Sequence, residues 1–304
     1  DKNKLFEIPN RKKAIEFAIN NLNSNDILIV SGKGHENTQD LGKKKIFFSD
    51  KQVITNSIKI RNKSLSNNLK VNILKECVDT RKIPRLTKLN RASINSKDIK
   101  QNDIFFAIRG KKNDGNNFIS ESIRSGASII VTDRPRIVIN NKKNIIKVKN
   151  TLDFLTKISL KIRDNFSGKT IGITGSCGKT SVKELVSSSL NKIGKVSSSP
   201  KSFNNKYGVP LSLFNLKLNN NYGVFEIGMD KKGEIDFLSS LVKPDIGIIT
   251  NVSYAHAKNF KNIFQIAKAK SEIINNIKSD GYIVLNTDDR FFSFHKKIAT
   301  KRKL

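Results

Sequence analysis

No stretch of the 304 residues is apolar for long enough to cross a bilayer, which takes roughly 18 to 20 consecutive apolar residues. The first ten residues also lack the basic and then greasy layout of a signal peptide. A soluble, cytoplasmic protein with no membrane insertion is the expectation. Cysteine is nearly absent. Cys77 and Cys177 stand far apart, Cys177 lies in a glycine-bearing loop that a disulfide would disable, and no CxxC metal pattern exists, so a reducing compartment fits. Methionine occurs once, at Met229, so the sequence has no initiator and reads as a piece of a longer protein. Acidic residues are too few, at 26, to balance 57 basic ones, and a charge of +31 raises nucleic-acid binding as a possibility. The basic residues are scattered among abundant Asn and Ile, as in proteins from AT-rich genomes, and neither an RNA-binding aromatic signature nor zinc-finger spacing accompanies them. No specific nucleic-acid partner is expected.

What is present is enough apolar content, 37%, to build cores for two domains. Three segments separate at polar, lysine-rich boundaries. Residues 1–60 carry Ala14, Ile15, Ala18, Ile19 and Leu22 at helical spacing, a DILIV run at 26–30 that reads as a buried strand, and a closing helix over 50–60 capped by Ser49 or Asp50. That reads as the tail of an α/β domain. Residues 61–70 (RNKSLSNNLK) show no apolar periodicity and suit a linker. Residues 71–150 hold a strand at 103–109, a helix near 118–125 and a strand at 127–133, a small α/β unit. From 151 the alternation becomes regular: helix 151–165, strand 169–175, helix to 193, strands 223–228 and 245–250, helix 263–277, strand 282–286. The fold class is therefore α/β, with a mostly parallel sheet covered on both faces.

The chemistry concentrates in this last segment. A strand, then TGSCGKTS, then a helix is what a phosphate cradle needs, because backbone N–H groups and the helix N-terminus converge on an anion. Gly175, Ser176, Cys177, Gly178, Lys179, Thr180 and Ser181 form the candidate nucleotide loop, with Lys179 neutralising phosphate and the Thr180 hydroxyl ligating magnesium. Ile173 stands where the usual motif has its first glycine, so this is a shortened variant; a glycine-rich turn with a chance lysine is the bland alternative. Glu226 ends a strand where ligands of parallel sheets bind, either as a magnesium ligand or as an exposed strand-end acid. Asn251 and His256 follow another strand, and His256, one of three histidines, is either structural or a metal or phosphate group.

Six blocks in order, TGSCGKTSVKE, FNNKYGVPLSL, EIGMDKKGEI, KPDIGIITNVSYAH, IAKAKSEI and LNTDD, resemble the central, P-loop-type domain of the Mur ligase family. The resemblance is to the branch that uses ATP and Mg2+ to add D-alanyl-D-alanine to a UDP-N-acetylmuramoyl tripeptide through an acyl phosphate. It implies that Lys179 is the phosphate lysine, that Thr180 and Glu226 hold one magnesium, and that His256 holds a second ion. It further implies that Asn204, Asn205 and Asn251 lie near phosphates and muramyl substrate, and that Asn286 lies on the adenine side. Lys270 aligns with the lysine that several relatives carbamylate into an extra metal-binding carboxylate; a solvated helix face is its alternative.

The stretch FFAIRGKKNDGNNFISESIRSGASIIV resembles the small UDP-binding domain of the same ligases, although Asn95, Ser96 and Lys97 replace an Asp-Ser-Arg-like triplet. IPNRKKAIEFAI and ILIVSGKGHE instead resemble the Rossmann-like C-terminal end of the diaminopimelate-adding branch, which nominates Gly32 and Glu36 for the amino acid. The expected organisation is thus 1–60 from that end, linker 61–70, UDP domain 71–150, and an incomplete ATP domain 151–304. That is a fusion fragment, expected to be inactive alone, which requires an uninterrupted reading frame across residue 65 of the parent gene. Two alternatives remain open: another Mur-like ligase of the folylpolyglutamate type, and a non-enzymatic nucleic-acid binder.

Overall fold

The computed structural model describes the chain apart from residues 1–4, 23–25, 34–35, 41, 43, 79–88, 111–112, 135–144 and 255–258 and the side chains of 62–68. It divides into two compact units, Asp1–Asn67 and Asn68–Leu304.

In the first unit, α1 (Arg11–Asn21) starts where the Asn10 side chain accepts the Lys13 N–H at 3.0 Å, and it buries Ile15 and Ile19. A short antiparallel pair, β1 (Thr38–Asp40) and β2 (Lys45–Phe47), precedes α2 (Asp50–Cys77). Arg11 gathers these pieces: its guanidinium donates to both oxygens of Asp50 at 2.9 and 2.5 Å and to the Ser31 carbonyl at 2.8 Å. The same pairing holds the Asp50 carboxyl below the ordinary carboxylate range.

One expectation fails here. Residues 26–30 form no strand, and Ile27 and Ile29 are exposed, because no neighbouring strand among the described residues offers them a ladder. Residues 61–70, read as a linker, are helical as part of α2, which contains no glycine or proline to stop it, and the boundary between the two units falls within this stretch.

The second unit contains two parallel sheets. The smaller orders β3 (Ala92–Ser93), β4 (Asp103–Ala107), β5 (Ala127–Thr132) and β6 (Ile145–Lys147) in sequence, with α3 (Ile119–Arg124) between β4 and β5. The larger comprises β7 (Lys169–Thr174), β8 (Val196–Ser198), β9 (Tyr222–Glu226), β10 (Ile246–Ile249) and β11 (Tyr282–Leu285) in the order β11-β10-β7-β9-β8. Around them run α4 (Thr151–Asp164), α5 (Lys179–Leu190), α6 (Gly208–Phe214), α7 (Glu234–Val242), α8 (Ile263–Lys270), α9 (Glu272–Asn275) and α10 (Phe292–Lys301). The helix expected over 263–277 is broken at Ser271, whose hydroxyl turns back to the Lys268 carbonyl at 2.7 Å. No helix among the described residues is long and apolar enough to cross a membrane.

Strand β7 reads as a continuous apolar run because both of its faces are covered. On one face Ile171, Ile173 and Val224 pack against Val182, Val186 and Leu190 of α5. The opposite face joins a large core in which Phe106 and Val131 of the small sheet, Leu155 and Ile158 of α4, Phe214 of α6 and Phe225 of β9 are continuous. Phe106 and Phe214 meet edge to face at 5.7 Å. Asn215, just beyond α6, adds a polar clamp: its Oδ1 accepts the Ala92 N–H at 2.8 Å and its Nδ2 donates to the Ala92 carbonyl at 3.0 Å, pairing with β3 much as another strand would.

Candidate active site

The chain moves from β7 to β8 in one direction and returns past β7 to β10, so β7 stands where the order of the large sheet reverses. Ligands of such sheets bind outside the carboxyl ends of the strands at that point. The loop 175–178 emerges there and leads directly into α5.

Two glycines shape the loop. Gly175 is buried at φ +153°, and a Cβ on it would lie 1.8 Å from Thr250 Oγ1. Gly178 has φ +77° as the residue preceding α5, with open space where a side chain would stand, which leaves the helix N-terminus accessible to an anion.

The end of β10 laces the loop in place. Ser176 N–H donates to the Asn251 carbonyl at 2.9 Å, and Cys177 N–H donates to Asn251 Oδ1 at 3.0 Å. In return Asn251 Nδ2 and Thr250 Oγ1 donate to the Cys177 carbonyl at 3.2 and 2.7 Å. Ser176 Oγ accepts the Ser253 N–H at 2.8 Å. Asn251 therefore braces the loop, and the Cys177 N–H is already engaged by it. The Lys179 ammonium folds back on the carbonyls of Gly175 and Ser176 at 2.9 and 3.2 Å, which holds a positive charge at the rim of the cradle.

A second cluster centres on Glu226, at the last position of β9 and almost fully buried. Its Oε2 accepts the Thr180 hydroxyl at 2.7 Å and its Oε1 accepts Asn204 Nδ2 at 2.7 Å. Gly228 N–H donates to the Asn204 carbonyl at 2.7 Å, and a Cβ on Gly228 would lie 2.9 Å from the Asn204 side chain. A buried carboxylate beside a hydroxyl suits a small divalent cation. Among the described residues no cluster of three or more His, Cys, Asp or Glu side chains is arranged for a metal. Such a cation would draw its remaining ligands from phosphates and water, as Mg2+ commonly does.

Lys270, the last residue of α8, is 1% exposed. Burial first, and then the charge of Lys179, push its ammonium down to about 7, with Cys177 acting the other way. A solvated helix face is thus not what this lysine occupies.

The other candidates fall as follows. Asn205 is spent on a helix start, its Oδ1 accepting the N–H groups of Tyr207 and Gly208 at 3.1 and 3.0 Å. Ser181 is exposed in the first turn of α5. Asn286 turns its own backbone by accepting the Asp288 N–H at 3.0 Å, while Asp289 of the same turn accepts the Val252 N–H at 2.6 Å. His256 lies outside the described residues. In the first unit, Gly32 has φ +108° beside the Arg11 guanidinium, and Glu36 pairs with Lys33 at 3.6 Å. Motif reading passed over Thr250, Ser253, Ser199 and Lys183. Each acts through a contact distant in sequence, and only Lys183, one turn beyond Thr180 in the SVKE stretch, leaves a trace in the sequence.

Comparison with known proteins accounts for this arrangement. The Mur ligase middle domain model matches residues 173–304, and the model described as Mur ligase family, catalytic domain, matches 88–163. The UDP-N-acetylmuramoyl-tripeptide--D-alanyl-D-alanine ligase of Buchnera aphidicola subsp. Acyrthosiphon pisum is 38% identical over 69% of this chain and 45% of its own length. That of Rickettsia prowazekii is 36% identical over 67% of this chain and 45% of its own length. The chain thus spans a little under half the length of these relatives. Among solved structures, MurF from Acinetobacter baumannii has a TM-score of 0.67 at 28% identity, over 76% of this chain and 51% of that one. MurF ligase from Thermotoga maritima in complex with ADP scores 0.61 at 33% identity, over 70% and 48%. With two parallel sheets, a glycine cradle at the reversal of strand order, and both family domains matched across the second unit, the chain belongs to the Mur ligase family.

Proposed function

We propose that the protein carrying this chain is an ATP-dependent ligase that joins D-alanyl-D-alanine to a UDP-N-acetylmuramoyl tripeptide. The observation that carries this reading is the Thr180–Glu226–Asn204 hydrogen-bonded chain set against the glycine cradle, in a chain whose relatives bear that activity in their names. In the reaction the peptide carboxylate attacks the γ-phosphorus of ATP and ADP leaves. The dipeptide amine then adds to the acyl phosphate and expels phosphate.

The chain's residues supply position and charge for these steps. The N–H groups at the start of α5 and the Lys179 ammonium receive the phosphates; the lysine exchanges two carbonyl partners for them. Thr180 and Glu226 would hold Mg2+, which when bound withdraws charge from phosphate oxygens. Asn204 fixes the carboxylate's orientation. With ATP, Mg2+, the UDP-tripeptide and the dipeptide, phosphate release is expected only when all four are present. Release that instead follows folate and glutamate would move the protein to another branch of the family.

Lys270 has a chemical role in this reading. Its amine is neutral above about pH 7 and can add to CO2, forming an N–C bond and releasing one proton to leave a carbamate. A new anion there would face Lys179. In carbon-13 bicarbonate at pH 8 a carbamate resonance is expected, fading as pH falls below about 7 and absent in Lys270→Ala. The linkage runs in the same direction: an unfolded lysine keeps its proton up to its ordinary value of 10.5, so between about 7 and 10.5 the unfolded chain binds more protons and stability rises with pH. No resonance at any pH would remove the carbamate.

A further inference from the structure

We infer that Lys183 is a positioning residue for the Glu226 carboxylate, acting through the loop 199–204. The inference rests on the metal role proposed above for Glu226. Lys183 lies one turn beyond Thr180 on α5, and its side chain is fully buried. Its ammonium donates to the carbonyls of Ser199 and Lys201 at 2.9 and 2.5 Å and lies 3.1 Å from the exposed carboxylate of Glu184. An ammonium has three donors and no acceptor, so two backbone carbonyls and one carboxylate complete its shell. Desolvating a charge is costly, and helix packing alone is met more cheaply by an apolar side chain.

What the charge fixes is a loop that bends back twice on Glu226. At its start Ser199 Oγ accepts the Glu226 N–H at 3.1 Å, which sets the backbone from which the carboxylate departs. At its end Asn204 Nδ2 donates to Glu226 Oε1 at 2.7 Å. Between them Lys201 takes a left-handed conformation at φ +49°, which a lysine adopts only at some cost, and its carbonyl is one of the two bound by the ammonium. Thr180, one turn away on the same helix, donates to the other carboxylate oxygen. Helix α5 therefore reaches Glu226 directly through Thr180 and indirectly through Lys183, so both oxygens are oriented from one rigid element. Groups arranged in this way around a metal ligand commonly shift metal affinity by about 10- to 100-fold when removed.

The experiment measures ADP binding as a function of Mg2+ concentration by calorimetry, in the full protein. Lys183→Met is expected to leave metal-free ADP affinity within about twofold and to raise the Mg2+ concentration for half-maximal enhancement about tenfold. Asn204→Ala is expected to raise that Mg2+ concentration by a similar factor, and the double variant to be little worse than either, because both act through one loop. Should the methionine variant not fold, Lys183→Gln, which removes the charge but keeps a polar side chain, carries the same cycle. Strict additivity with Asn204→Ala, or equal loss of ADP affinity with and without Mg2+, would overturn the positioning role. Glu226→Gln separates the two readings: if it leaves the Mg2+ dependence intact, the metal role of Glu226 fails. If it abolishes that dependence while Lys183→Met changes nothing, only the inference about Lys183 fails.

Discussion

Gly175→Ala is expected to weaken nucleotide binding sharply. The added methyl group would sit 1.8 Å from Thr250 Oγ1, 3.0 Å from Thr250 Cβ and 3.2 Å from its backbone nitrogen, so moving the hydroxyl alone cannot admit it. The backbone angle of +153° is itself one that L-residues rarely adopt, and such strain costs on the order of 1–3 kcal/mol. The chain's way out is to push the loop from the end of β10, which breaks the bonds from Thr250 and Asn251 to the Cys177 carbonyl and scatters the N–H groups of the cradle. We expect ADP affinity to fall by roughly 100-fold, about 2.7 kcal/mol, with a lowered melting temperature. Gly175→Ala/Thr250→Ala, which deletes the closest atom, should recover part of that loss. Parent-like ADP affinity in the single variant would contradict the geometry.

Glu226→Gln is the second large effect. Both carboxylate oxygens accept hydrogen bonds, from Thr180 and from Asn204, so an amide can match only one of them: its nitrogen set against Asn204 Nδ2 meets a second donor, and set against Thr180 it takes away the hydroxyl's acceptor. Leaving one buried partner unsatisfied costs about 1–3 kcal/mol before any cation is considered. The charge that would hold Mg2+ is lost as well, and metal catalysis contributes several kcal/mol of transition-state stabilisation. Phosphate release should therefore drop on the order of 1,000-fold or more, by at least about 4 kcal/mol in the barrier, while the fold persists by circular dichroism. A variant within tenfold of the parent would show that the carboxylate serves only to hold Thr180 and Asn204.

Much of the second unit was legible in sequence, and the reason differs from element to element. Strands β7, β9 and β10 were found because inner strands covered on both faces leave continuous apolar runs, and the edge strand β11 because its YIVL run is apolar even though Tyr282 and Val284 are exposed. The cradle was found because a chain that must pass through left-handed or crowded backbone needs glycine at Gly175 and Gly178. The DILIV run misled for the converse reason: apolar residues create the propensity for a strand, yet a ladder needs a neighbour, and among the described residues β1 and β2 pair only with each other. The polar run 61–70 marked the stretch in which the two units divide but not its helical backbone, because lack of apolar periodicity does not break a helix when no glycine or proline interrupts it.

The site separates along the same line. Local sequence by itself determined the glycine loop, the lysine and threonine that follow it, and the acid that ends β9, because backbone conformation and strand ends are written in neighbouring residues. Only the tertiary structure decided that Lys270 and Lys183 are buried while most of the chain's other lysines are not. It alone decided that Asn204 meets Glu226 whereas Asn205 starts a helix, and that Asn251 braces the loop. Burial and pairing are made by segments tens of residues apart, folded together by parallel crossovers, and a lysine on a helix carries no local mark of whether the opposite side of that helix will be water or a loop.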